Sequence, residues 1–190
     1  KERFFVSLYL IEVEWYNKEG IDAYILDPNL TSYFTSLEGQ HMSESTITGL
    51  EQLLALENIR NTKARYCRYI DTKQWDTLGD VFAPDAVADF STEGNPIPVL
   101  TGRDTIVQVF RDLVDVAVTV HHVHSAEVEF VSENEAKVIS PMEDWVTFPE
   151  GNENKSFHGF GHYHETFVKI DGQWYIKHTS LKRLRLDLFE

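Results

Sequence analysis

The spacing of apolar residues changes its period partway along the chain. Beyond Thr48, residues Leu50, Leu53, Leu54, Leu56, Ile59, Tyr66 and Ile70 follow a helical stripe with some slippage. This predicts a long amphipathic helix that Asp71-Thr-Lys-Gln interrupts. Trp75, Leu78, Val81 and Phe82 predict a short second helix, stopped by Pro84. A short strand over 87–90 and a Gly/Pro loop through Pro98 follow. A third helix opens at Thr101-Gly-Arg-Asp104 and carries Ile106, Val109, Phe110 and Leu113. After Asp115 the pattern becomes long, β-branched and aromatic, over 116–131, 136–148, 157–170 and 174–186. Ser132-Glu-Asn134, Pro149-Glu-Gly-Asn152 and Asp171-Gly172 separate these runs, and Asp-Gly is the sharpest hairpin signal of the three. Helices first and meandering strands later predict an α+β domain. A strongly curved, mostly antiparallel sheet wrapped round the long helix would enclose a cone-shaped pocket.

Residues 1–41 read differently. They are aromatic-rich, weakly periodic and broken at Asp27-Pro28-Asn29. Met42 suits a natural start, and His41-Met42 also suits a cloning junction. We therefore expect 1–41 to be an extension or a cloning-derived segment, and 42–190 to be the domain proper.

With 190 residues, 42% of them hydrophobic, one domain with a real core is expected. Aromatic side chains make up 13%, enough to line an apolar pocket as well as to fill a core. The formal charge of −14 makes nucleic acid and anionic membranes poor partners. The one local basic cluster, Lys182-Arg183-Leu-Arg185, alternates like the solvated face of a strand. A single cysteine, Cys67, excludes an internal disulfide and a cysteine-based metal site. No apolar run approaches the roughly 18 residues of a membrane span. The run over 4–11 is cut short by Glu12 and Glu14 and lacks a cleavage site. A reducing, cytoplasmic location fits these features.

The candidate chemistry lies in Tyr66, Asp71 and His121. An imidazole moves protons near neutral pH, a carboxylate fixes its tautomer, and a phenol donates to an oxygen gaining negative charge. Asp71 ends a helix, where the dipole disfavours a carboxylate, so a cationic partner is expected. By strand parity His121 faces one way, and His122 and His124 the other. The latter two could bind a metal with a third ligand from His158, His162, His164 or His178. His124 is alternatively a pocket residue. Tyr66 stands five residues before Asp71, about 140° round the helix. Asp144, in an otherwise apolar strand, would be a buried acid able to donate a proton. Tyr163 alternates with Gly159 and Gly161, which would open space for its hydroxyl.

From about 48 to 187 the chain resembles the SnoaL-like, NTF2-like superfamily. The segments that carry the likeness are Ile59-Arg-Asn-Thr-Lys-Ala-Arg-Tyr-Cys-Arg-Tyr-Ile-Asp71, Lys73-Gln-Trp75-Asp and Phe82-Ala-Pro-Asp85. Val120-His121-His122-Val-His124, Gly159-Phe-Gly-His-Tyr163 and Asp171-Gly-Gln-Trp174-Tyr-Ile complete it. Within the superfamily it is most similar to cofactor-free lyases of the bile acid 7α-dehydratase kind, and more distantly to scytalone dehydratases and a dehydrochlorinase. The resemblance implies an Asp71–His121 pair in a cavity, with Tyr66 and Asp144 beside it and Tyr163 on the sheet. Scytalone dehydratases have a substrate-holding tyrosine where this chain has Phe90, and a histidine where it has Asp144 and Trp145. A shared substrate is therefore not implied.

The expected activity is a cofactor-independent, metal-free lyase, a dehydratase of a hydrophobic ring compound with a hydroxyl β to a carbonyl. His121, Asp71, Tyr66 and Asp144 would be catalytic, and Tyr163, His124 and Phe90 would touch substrate. An isomerase or cyclase using the same enolate is the nearest variant, and a non-catalytic binding module is the rival from another class. A metal-dependent enzyme ranks below both. A homodimer or homotrimer is expected, with the outer face of the sheet as the joining surface.

Overall fold

A computed structural model describes residues 49–91 and 98–189, together with two short strands near the start. The chain divides into two compact units, Lys1–Thr46 and Ile47–Glu190. In the first, β1 (Glu2–Val6) pairs antiparallel with β2 (Tyr9–Val13). Most of the segment expected to be an extension, and the Met42 start with it, lies outside the described residues.

The second unit begins with α1 (Gly49–Asp71). Its buried face is Ala55, Ile59, Thr62, Lys63, Tyr66, Cys67 and Ile70, a spacing of three and four that packs one side of a helix. Leu50, Leu53 and Leu54 belonged to the expected stripe, yet they are 67%, 64% and 56% exposed. At 100° per residue they point roughly 120° or more away from that face, which is where the slippage in the pattern arose.

Next come α2 (Trp75–Leu78), a 3-10 turn (Gly79–Val81) and β3 (Phe82–Asp89). The second helix is thus shorter than predicted, and the strand starts earlier and runs through Pro84. Proline is tolerated there because the parallel pairing of β3 with the last strand, Gln173–Phe189, is irregular between Phe82 and Val87, so no regular ladder bond is lost at Pro84. The hairpin-like partner β4 (Leu100–Thr101) leads into α3 (Arg103–Val114).

The remaining strands are β5 (Val118–Val123), β6 (Glu127–Ser132), β7 (Glu135–Thr147), β8 (Ser156–Ile170) and β9 (Gln173–Phe189). The sheet order is β4-β3-β9-β8-β7-β5, with β6 also on β7. The expected run 116–131 is therefore two strands along one edge of β7. Val123 pairs with Met142 and Glu127 with Ile139, so the register gains one residue near His124, a bulge opposite Ser140-Pro141. The architecture is α+β with a mixed, open, mostly antiparallel seven-stranded sheet.

Tyr66, Phe82, Ile106, Phe167 and Ile176 form the centre of the core between helices and sheet. Phe82 and Phe167 are wholly buried, and truncating either to Ala is expected to cost about 3–5 kcal/mol. No helix among the described residues is long and apolar enough to cross a membrane.

Candidate active site

The site begins where α1 stops. Thr72 N–H bonds to Arg68 O, Lys73 N–H to Ile70 O and Gln74 N–H to Tyr69 O. This pattern, with Lys73 at φ 58°, is a Schellman cap with its left-handed residue at Lys73. It leaves Asp71 on the last helical residue, off the buried stripe and beside β5.

Asp71 grips His121 at two points. Its Oδ2 accepts the His121 backbone N–H at 2.9 Å, and its Oδ1 lies 2.6 Å from Nδ1. A carboxylate only accepts, so in the neutral ring the proton belongs on Nδ1 and the lone pair on Nε2. Burial alone would raise the Asp71 pKa, but the His121 ring and backbone bonds, helped by Thr119, outweigh it and hold the carboxyl below its usual range. The side chains of His121 and Asp71 keep 10% and 21% exposure, so the pair is recessed yet reachable.

Across the sheet His121 pairs with Asp144, and Asp144 with Gly159, which puts all three on the inner face. Asp144 is buried and paired with a guanidinium. Arg183 Nη1 and Nη2 bind its two oxygens at 2.5 and 2.6 Å, and both carboxylate oxygens are committed to the guanidinium. Arg183 was read as part of a solvated strand face. In the structure Gly161 pairs with Arg183 and Phe160 with Arg185, so Leu184 is an extra residue. That bulge separates the parity of Arg183 from that of Arg185.

The glycines also differ from expectation. A Cβ on Gly159 would collide with Arg183 Nη1 and Asp144 Oδ1, and one on Gly161 with the carbonyl oxygen of Lys182. They make room for an ion pair and a bulge, not for an open space before Tyr163.

Tyr66 and Tyr163 are buried, edge to face, with ring centroids 6.1 Å apart. The Tyr66 ring also packs edge to face on Phe82 and Phe110, at 5.9 and 6.4 Å between centroids. Burial pushes both phenols well above their usual pKa, so they stay protonated donors. Neighbouring Cys67 is raised by burial to about 11, consistent with a packed, inert thiol. Phe90 packs on Phe110, which in turn packs on Tyr66.

Two residues were missed. Lys63 Nζ bonds Glu165 Oε1 at 2.9 Å and sits 3.3 Å from the Tyr163 ring centroid and 4.1 Å from that of Tyr66. Thr179 Oγ1 donates to the same oxygen, and Glu165 Oε2 has no partner among the described residues. Lys63 sits four residues after Ile59 on the apolar stripe, and Glu165 shares the parity of Tyr163. Those positions were the available signal.

His124 lies on the outer face, with its side chain 61% exposed, and does not enter the site. There it shares Glu143 with His122 and His158, at 4.0, 3.4 and 2.9 Å. Hydrogen bonding from His158, against some desolvation, holds Glu143 below its usual pKa. Among the described residues no group of three or more His, Cys, Asp or Glu has metal-binding geometry. A cleft of about 430 Å³ also opens on this outer side, beside Glu129, Lys137, Ile139, His164 and His178, away from the dyad.

Comparison with known proteins identifies the family of the fold. A curated relative named probable cyclase FGR4, from Gibberella zeae, is 29% identical over 138 residues, covering 66% of this chain and 89% of the relative. A candidate scytalone dehydratase from Novosphingobium aromaticivorans superposes with a TM-score of 0.65 at 25% identity, covering 74% of this chain and 91% of the other. The LinA-type3 hexachlorocyclohexane dehydrochlorinase of Novosphingobium barchaimii gives 0.65 at 19% identity, over 75% and 94%, which is a likeness of fold. Residues 51–180 match the family model of the SnoaL-like domain, and the chain belongs to that family.

Proposed function

We propose that the protein is a cofactor-independent lyase that removes water from a hydrophobic ring compound bearing a hydroxyl β to a carbonyl. The observation that carries this reading is the two-point hold of Asp71 on His121, which presents Nε2 as a base. Nε2 takes the proton α to the carbonyl, and the C–H electron pair moves into an enolate. The enolate then re-forms the carbonyl as the β C–O bond breaks. The imidazolium returns its proton to the departing hydroxyl, so water and an enone are the products. Asp71 stabilises the transient imidazolium. Arg183, 24% exposed beside the dyad, supplies positive charge on the side where the oxyanion grows.

The likeness to a cyclase favours one second reading, in which the same enolate attacks a second carbonyl carbon within the substrate, whose π pair moves to its oxygen and takes the proton back from the imidazolium, instead of expelling hydroxide. Both readings share the first proton transfer. The test is therefore deuterium uptake. The protein and its His121→Gln variant are incubated in deuterated water with cyclic ketones, with and without a β-hydroxyl, and read by mass spectrometry. Deuterium at the α carbon, or loss of water, that vanishes in His121→Gln is expected. Equal spectra for the two proteins across the panel would leave a binding module as the reading of this fold.

A further inference from the structure

Lys73 holds the one position in the cap of α1 where glycine is the natural choice. Its φ of 58° is left-handed, which costs a non-glycine residue on the order of 1 kcal/mol. A glycine would end the helix equally well. What lysine adds is its side chain. Nζ turns back over the end of α1 and donates to Thr119 Oγ1 at 3.1 Å. Thr119 is buried on the inner face of β5, two residues before His121, and it helps to lower the Asp71 carboxyl pKa. Lys73 is thus tied to the strand residue that flanks the Asp71–His121 pair.

We infer that Lys73 is a positioning residue for the dyad. Its ammonium, fixed through Thr119, holds positive charge beside Asp71 and keeps it a carboxylate aimed at His121. This rests on the proposed function for its purpose, though not for its test. The groups facing the Lys73 ammonium are Asp71 at the end of α1, Thr119 on β5, the Trp75 ring of α2 at 5.7 Å, and Asp115 after α3, which accepts from Trp75 Nε1 at 2.6 Å. Partial burial lowers the pKa of Lys73, with Asp71 and Asp115 opposing.

The test is the pH titration of the His121 ring carbon resonance, read without substrate in the whole chain and in Lys73→Met, Lys73→Gly and Lys73→Arg. Removing a cation near His121 makes its protonation easier. The midpoint is expected to rise by about half a unit in the Met and Gly variants and to stay at the parent value in Lys73→Arg. Lys73→Gly should also melt no lower than the parent, since glycine accepts the left-handed backbone. A midpoint unmoved in Lys73→Met, or moved only in Lys73→Gly, would assign Lys73 to the cap alone and overturn the inference. Neither outcome depends on whether the deuterium-uptake test succeeds.

Discussion

Arg183 occupies the space that a side chain on Gly159 would need. The two meet on the inner face of the sheet because Leu184 bulges out of the β8–β9 ladder and turns Arg183 inward, to meet Asp144. Gly159→Ala should therefore displace the guanidinium and cost about 1–3 kcal/mol. In an Arg183→Ala, Asp144→Ala background the same change should cost much less, because both atoms in its way are gone. Gly161→Ala should cost more than Gly159→Ala, since its obstacle is the backbone of Lys182. Urea unfolding of the parent, the two glycine variants, the double-variant background and its Gly159→Ala derivative measures these differences.

The dyad should leave a signature in stability. Asp71 has its carboxyl pKa lowered in the folded state, so its contribution is complete above the unfolded value of about 3.9 and fades as pH falls through the lower folded value. Asp71→Asn should be less stable than the parent at neutral pH. The gap should close only below pH of about 4, as thermal melts across that range would record.

Lys63 and Glu165 form an ion pair with side-chain exposures of 7% and 0%. Removing one member leaves the other charged and buried, so Lys63→Met is expected to cost about 3–5 kcal/mol. Lys63→Met with Glu165→Gln should recover most of that loss. Chemical denaturation of the single and double variants completes the cycle.

Tyr66 and Tyr163 are pushed to high pKa by burial and act as neutral donors. Tyr66→Phe should keep the fold and lower α-proton exchange by roughly 10²-fold if its hydroxyl reaches the enolate oxygen. A smaller effect, equal in Tyr163→Phe, would assign the pair to packing. The exchange rate of the parent should show no break from phenol ionisation below pH of about 10.

Residue types and strand parity made part of this site legible. Asp71 at a helix end and His121 alone on one strand face could be singled out from sequence, as could the inward parity of Asp144. The element order was legible too, because the helical period gives way so sharply to β-branched runs after Asp115. Bulges hid the rest. One residue gained near His124 splits an expected strand, and one at Leu184 redirects Arg183, and neither leaves a mark in the hydrophobic pattern. Lys63 and Glu165 were hidden for a different reason. A charged residue on an apolar stripe looks like slippage until its partner, 102 residues away, is seen.

The central claim is that Asp71 fixes the His121 tautomer so that Nε2 faces the substrate side as a base. Nitrogen-15 NMR of the histidine rings reads this directly. In the neutral ring of the parent protein, the proton should sit on Nδ1 with Nε2 showing the shift of a bare nitrogen, and Asp71→Asn should erase that preference. A neutral ring protonated on Nε2 in the parent, or a tautomer indifferent to Asp71→Asn, would contradict the account.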